Sequence, residues 1–119
     1  DRASWKAVRD MDGTSEVEAT ATGQELASFT KGYKDHEAKG QHVEGSSSVE
    51  VSAVDLLPDG VTASVGVCND QTKGALVSAT GEDQTPEDVR HRFPIAYTLV
   101  RQGSGWKVAS SSQGEADQC

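Results

Sequence analysis

SVEVSAVDLLPDGVTASVGVCND, residues 48–70, is the stretch that decides the fold. Val49, Val51 and Ala53 alternate with Ser48, Glu50 and Ser52, a period of two that sends apolar and polar side chains to opposite faces of a strand. The apolar phase then slips to Val54 and Leu56, and a slip inside one strand predicts a β-bulge near Ala53. Pro58 and Gly60 stand in favoured turn positions, after which Val61, Ala63, Val65 and Val67 resume the alternation. The stretch reads as a long antiparallel hairpin whose first strand is half-buried and bent.

Downstream, GALVSA (residues 74–79) makes a plausible third strand. FPIAYTLVRQGSGWKVAS (residues 93–110) reads as a second long hairpin turning at Gln102–Gly105. Ile95, Tyr97 and Leu99 alternate there with Ala96, Thr98 and Val100, so both faces of the strand are fairly apolar and a central place in the sheet is expected. Trp106 and Val108 share a strand face, which predicts a core position for Trp106. Upstream the period is helical. Trp5, Val8 and Met11 lie three apart before Gly13, and Leu26, Phe29 and Tyr33 form a stripe in a helix that Gly40 ends. Ser15 with Glu18 and Thr22 with Glu25 have the spacing of two capping boxes, so two helix starts are expected with a break between them. Helices followed by a meander of strands predict an α+β fold, N-terminal helices packed on one side of a curved antiparallel sheet.

At 119 residues, with 34% hydrophobic residues and few rings, the chain has room for one domain spanning 1–119 and a lean core of Val, Ala and Leu. Its net charge of −8 disfavours nucleic acid and anionic lipid, both of which need clustered Lys and Arg. No apolar run has the length to cross a bilayer. The start at Asp1 fits a mature or trimmed domain, with a signal or anchor segment expected ahead of it.

Cys68 and Cys119 match no zinc-ligand spacing. Cys68 closes an alternating stretch, at a strand end that a second segment can reach, and Cys119 is expected to be that segment, stapling the polar tail to the sheet. A bridge closing so long a loop stabilises substantially through the unfolded state, and it implies an exported location. The alternative is two unpaired thiols in a reducing cytosol.

Helices first, a bent meander, VCNDQT at a strand end, GSGWKVAS in a hairpin and a final Cys after a short polar tail together resemble the secreted or membrane-tethered NTF2-like domains of Gram-positive bacteria. The resemblance implies a sheet wrapped by helices into a cone, often with a cavity at its wide end. It also implies an extracytoplasmic, lipoprotein-like setting.

Function is less legible. EDQTPEDVRHR (residues 82–92) has acids at 82, 83, 87 and 88 but no calcium-loop pattern, and Thr85, Pro86 and Asp88 read as a helix start. His36 and His42 flank a helix end and are assigned no base role. No nucleophile elbow, dinucleotide fingerprint or P-loop occurs, so no catalytic residue, cofactor or metal is expected. Three functions fit: a non-catalytic binding or sensor module for a protein partner or small ligand, an isomerase-like enzyme acting on a small apolar substrate, or an assembly part pairing through its sheet face as a homodimer. For the enzyme, Asp55 is the acid most flanked by apolar neighbours, and Tyr33 and Tyr97 are the phenols. A pocket is expected among Trp5, Phe29, Tyr33, Asp55 and Tyr97, with the rings of Trp5, Phe29 and Tyr33 lining whatever groove the helices leave open.

Overall fold

The structure, a computed structural model, describes residues 2–119. Three helices come first, α1 (Arg2–Asp10), α2 (Ser15–Thr20) and α3 (Gly23–Lys39). Six strands follow, β1 (His42–Gly45), β2 (Ser48–Leu56), β3 (Thr62–Asp70), β4 (Gly74–Val77), β5 (Arg92–Gln102) and β6 (Gly105–Gln113), with a 3₁₀ turn at Glu87–Val89. This is the expected α+β fold, helices packed on antiparallel sheets that do not close into a barrel.

The main sheet has four strands in the order β2-β3-β5-β6. Two-apolar-faced β5 takes an interior position in it, and β2 lies at an edge. The register of β2 on β3 shifts between Val51 and Ala53, where the slip in alternation placed a bulge. Val49, Val51, Val54 and Leu56 thereby stay on one face, opposite Asn69, Val67, Val65 and Ala63. β4 does not enter this sheet. It pairs with β1 in a separate two-stranded sheet, because a turn sealed by Asp70 bends the chain away: its carboxylate accepts from the Thr72 amide at 2.9 Å and the Thr72 hydroxyl at 2.6 Å.

Helix α3 begins after Thr22 in extended backbone and ends on Gly40 at φ 66°, a left-handed position that suits glycine. The Gly40 and Gln41 amides close the last turn on the Glu37 and His36 carbonyls. Neither capping box forms. The N-cap of α2 is Thr14, one residue earlier than the box requires, and neither Thr14 nor Thr22 makes a side-chain cap bond. The Glu25 carboxylate instead accepts from the Ser111 hydroxyl at 2.7 Å, tying α3 to β6. The helix expected after Thr85 shrinks to the single 3₁₀ turn, with Pro86 as its N-cap.

The apolar interior divides in two. Ala7, Val17, Ala21 and Tyr33 form a cluster made by the helices, with Val8, Met11, Leu26 and Phe29 packed around it. Val67, Phe93 and Ile95 form a second cluster on the main sheet, joined by Val65, Tyr97 and the tail residue Ala116. Cys68 and Cys119 are bridged, with Cα atoms 5.8 Å apart, so the terminal thiol does fasten the tail to the end of β3. The Asp117 amide adds a bond to the Arg92 carbonyl at 2.7 Å. Trp106 departs from expectation: it is 38% exposed. It does share a face with Val108, but it pairs with Arg101 next to the hairpin turn, near the end of an edge strand.

Candidate functional site

Strand β2 is exposed along its whole length, although five of its side chains are apolar. Cross-strand pairs on one face of a sheet have Cβ atoms about 5 Å apart and ordinarily share one environment. Here they do not. Val51 is 58% exposed and its partner Val67 is 5%, while Leu56 is 65% exposed and its partner Ala63 is 8%. The cover over the sheet therefore stops between β3 and β2. Val49, Val51, Val54 and Leu56, extended by Leu57 and Val61 at the hairpin turn, form an apolar strip continuous with the buried face and open to water. On the other face of the same strand stand Glu50 and Asp55, and Asp59 follows in the turn. Asp59 accepts from the Val61 and Thr62 amides and the Thr62 hydroxyl, and those bonds hold its carboxyl below the ordinary aspartate range.

The residues singled out from the sequence are dispersed. Tyr33 is buried in the helical cluster, its hydroxyl accepting from the Gly13 amide at 3.0 Å. Phe29 lies one helical turn before it, with ring centroids 6.3 Å apart. Phe29 and Tyr97 meet in an open groove between α3 and the sheet, about 350 Å³ in volume, whose other walls are Ser4, Gln24, Glu25, Ser28 and Ser111. Burial pushes the Tyr97 phenol up, and the Glu25 charge adds to it. Asp55 is elsewhere. It pairs with Ser64, on the face opposite Tyr97, and is exposed, so the acid and the phenol do not share a pocket.

Trp5 lines a different cavity, about 250 Å³ in volume, bordered by α1, the end of α3, β1, β4 and the 3₁₀ turn and open to solvent on one side. Its walls include Trp5, Val43, Ala75, Leu76, Pro86 and Val89, and His36, Gln71 and Thr85 supply the polar groups. Gly74 is required at its rim, since a Cβ there would sit 2.6 Å from the Trp5 ring. Nothing local in the sequence brings Trp5, His36 and Val89 together, because the cavity depends on β4 pairing with β1.

The acidic loop is knotted internally and tied to β4 through Gly74 and Leu76. The Thr85 amide and hydroxyl donate to Asp83 at 3.0 and 2.6 Å, and Arg90 pairs with the same carboxylate. The Thr85 bonds, followed by Arg90, hold the Asp83 carboxyl well below the usual range. Among the described residues no three His, Cys, Asp or Glu side chains gather where they could hold a metal ion, and no helix is long and apolar enough to cross a membrane.

No protein-family model matches the chain, and no curated protein matches it by sequence. Among solved structures the chain is similar to the crystal structure of the intermembrane-space region of the chloroplast protein ARC6, at TM-score 0.78 and 15% identity, covering 97% of this chain and 88% of that one. At that identity the likeness shows a shared fold and nothing about activity or partners.

Proposed function

We propose that the chain is a non-catalytic binding module, working on the extracytoplasmic side of a membrane, that holds a partner polypeptide against the uncovered strip of β2. The observation that carries the proposal is the break in burial between directly paired residues, Val51 against Val67 and Leu56 against Ala63. An apolar strip left open beside a finished core costs solubility, and a surface that persists at that cost is accounted for by a partner that covers it. The partner's chemistry follows from the surroundings. With a net charge of −8 overall, Asp59 in the turn next to Leu57 and Val61, and Glu50 and Asp55 on the reverse face of the same strand, a cationic amphipathic segment is favoured over a second, equally acidic copy. The bulge between Val51 and Ala53 disturbs the free edge, so docking on the face is favoured over addition of a strand. The disulfide supports an oxidising compartment. Resemblance to the tethered NTF2-like domains belongs to this reading, supported by helices placed before a bulged meander. The enzyme alternative loses its acid–phenol pair with Asp55 facing away from Tyr97.

A library of displayed amphipathic peptides, basic and acidic in equal number, tests the proposal. Peptides selected on the wild type are expected to be basic and to lose binding to the Val51→Ser/Val54→Ser/Leu56→Ser variant at least tenfold. Equal binding to both proteins, or selection of acidic peptides, overturns it. Sedimentation equilibrium of the unliganded chain separates the assembly alternative: a dimer abolished by the same variant assigns the strip to self-pairing.

A further inference from the structure

The cavity between α1 and the β1–β4 sheet shares no residue with the strip on β2, and it has the makings of a separate site. Its walls are mostly apolar: Trp5 on one side, Val43, Ala75 and Leu76 from the two strands, Pro86 and Val89 from the 3₁₀ turn. A dry cavity of about 150 Å³ accepts benzene, so a volume of about 250 Å³ suits a fused two-ring aromatic.

The polar groups on the wall sort by whether they are already engaged. Thr85 is spent: its hydroxyl donates to Asp83 and accepts from the Leu76 amide at 2.8 Å and from Arg90 at 3.1 Å. Gln71 offers both a donor and an acceptor and so imposes no preference. His36 does impose one. Its Nδ1 lies 3.1 Å from the Gln41 Oε1, and the Gln41 Nε2 donates to the Gln84 Oε1 at 2.7 Å. With the Gln41 nitrogen assigned to the side of Gln84 and its oxygen to the ring, the arrangement goes with the Nδ1–H tautomer of neutral His36. The Nε2 lone pair is then the acceptor left for an occupant of the cavity that His36 lines.

We infer that this cavity binds a small, uncharged two-ring aromatic carrying one N–H or O–H donor, with the rings against Trp5 and Leu76 and the donor on His36 Nε2. Such a molecule buries its flat faces against apolar walls and spends its single polar group where the chain has a matching one. An aromatic of the same shape without the donor leaves the Nε2 unpaired on losing water, and it is bound more weakly.

Indole and benzofuran make the test, since they differ in little but the exchange of N–H for oxygen. Each is titrated into the intact, disulfide-bonded protein at pH 8, followed by the amide signals of Gly74 and Ala75, the Trp5 indole N–H and the His36 ring nitrogens. Indole is expected to saturate at millimolar concentration or below, to shift those signals together, and to bind at least about threefold tighter than benzofuran. In His36→Phe, which keeps a ring on the wall, the two compounds are expected to bind alike. Saturation confined to signals of Phe29 and Tyr97, absence of shifts at Gly74 and Ala75 in 5 mM indole, or equal affinities on the wild type overturns the inference. The wild-type comparison decides it even where the variant fails to fold.

Discussion

Opening the bridge between Cys68 and Cys119 should destabilise the domain about as much as truncating one of its buried rings. The bridge spans 51 positions, and in the chain-entropy relation a loop of that length removes roughly 14 cal/mol/K from the unfolded ensemble, about 4 kcal/mol at 25 °C. For a domain of this size, net stability falls in the range of about 5–15 kcal/mol, so the loss takes a quarter or more of the whole. The folded state changes little by comparison. The tail keeps its bonds from the Asp117 amide to the Arg92 carbonyl and between His91 and Asp117, at 2.7 and 3.0 Å. The perturbation is therefore the double variant Cys68→Ala/Cys119→Ser, compared with reduced wild type to separate the bridge from the loss of the buried Cys68 side chain. Urea unfolding followed by circular dichroism is expected to show a loss of about 4 kcal/mol and a steeper transition, because the uncrosslinked unfolded chain exposes more surface. A loss under about 1 kcal/mol in both samples would refute the reasoning, since the tail contacts alone would then be fixing the end of the chain.

Four further outcomes follow from burial and charge. Val17→Ala should cost about 2 kcal/mol and Val51→Ala under about 0.5, by denaturant midpoint, since Val17 is 1% exposed and Val51 is 58%. Equal costs would mean that the strip is covered by the chain itself. Trp106→Ala should cost under about 2 kcal/mol, well below the roughly 3–5 of a buried ring, and a larger loss would show the hairpin tip packed. Asp83, with its folded pKa below the ordinary 3.8, stabilises above that unfolded value and loses its effect as pH falls toward the folded one. Stability to thermal unfolding should thus fall on acidification below about pH 4, and Asp83→Asn should flatten that limb without changing its position for the other carboxylates. Gly74→Ala should lower the melting temperature and shift Trp5 fluorescence, because the added methyl meets the ring, and an unchanged spectrum would contradict the contact.

The hairpins were legible because their information is local. Alternation from Val49 to Leu56 carries the strand, and the slip of phase carries the bulge that the register contains. The pairing of Cys68 with Cys119 and the end of α3 at Gly40 were legible for a related reason, each depending on few residues of narrow chemistry. Coverage was not legible. The pattern at Trp106 resembles that of a buried strand position, yet beside the hairpin turn of an edge strand the ring stays 38% exposed. The capping boxes failed on the same ground: the spacing of Thr22 and Glu25 fits the motif, but Ser111 on a distant strand offers Glu25 a better donor. The cavity at Trp5 depends on β4 leaving the main sheet for β1, a choice between long-range partners that a four-residue strand does not announce. Asp55 was chosen for apolar neighbours in sequence, yet in a strand those neighbours point to the opposite face.

The division of the interior into a helical cluster and a sheet cluster has a consequence in time. The helical layer is held to the sheet by a few polar links, the Thr22 amide on the Val108 carbonyl at 2.8 Å and Ser111 on Glu25 among them, along an open groove. Cooperative units that bury separate clusters open separately, and short helices without a cross-link open more often than central strands paired on both sides. Amide hydrogens of α1 and α2 therefore exchange with solvent through a partial opening, while those of β3 and β5, at the centre of the main sheet and locked at one end by the bridge, wait for global unfolding. The chain keeps two rhythms, a fast one in the layer that walls the aromatic cavity and a slow one in the sheet that carries the apolar strip.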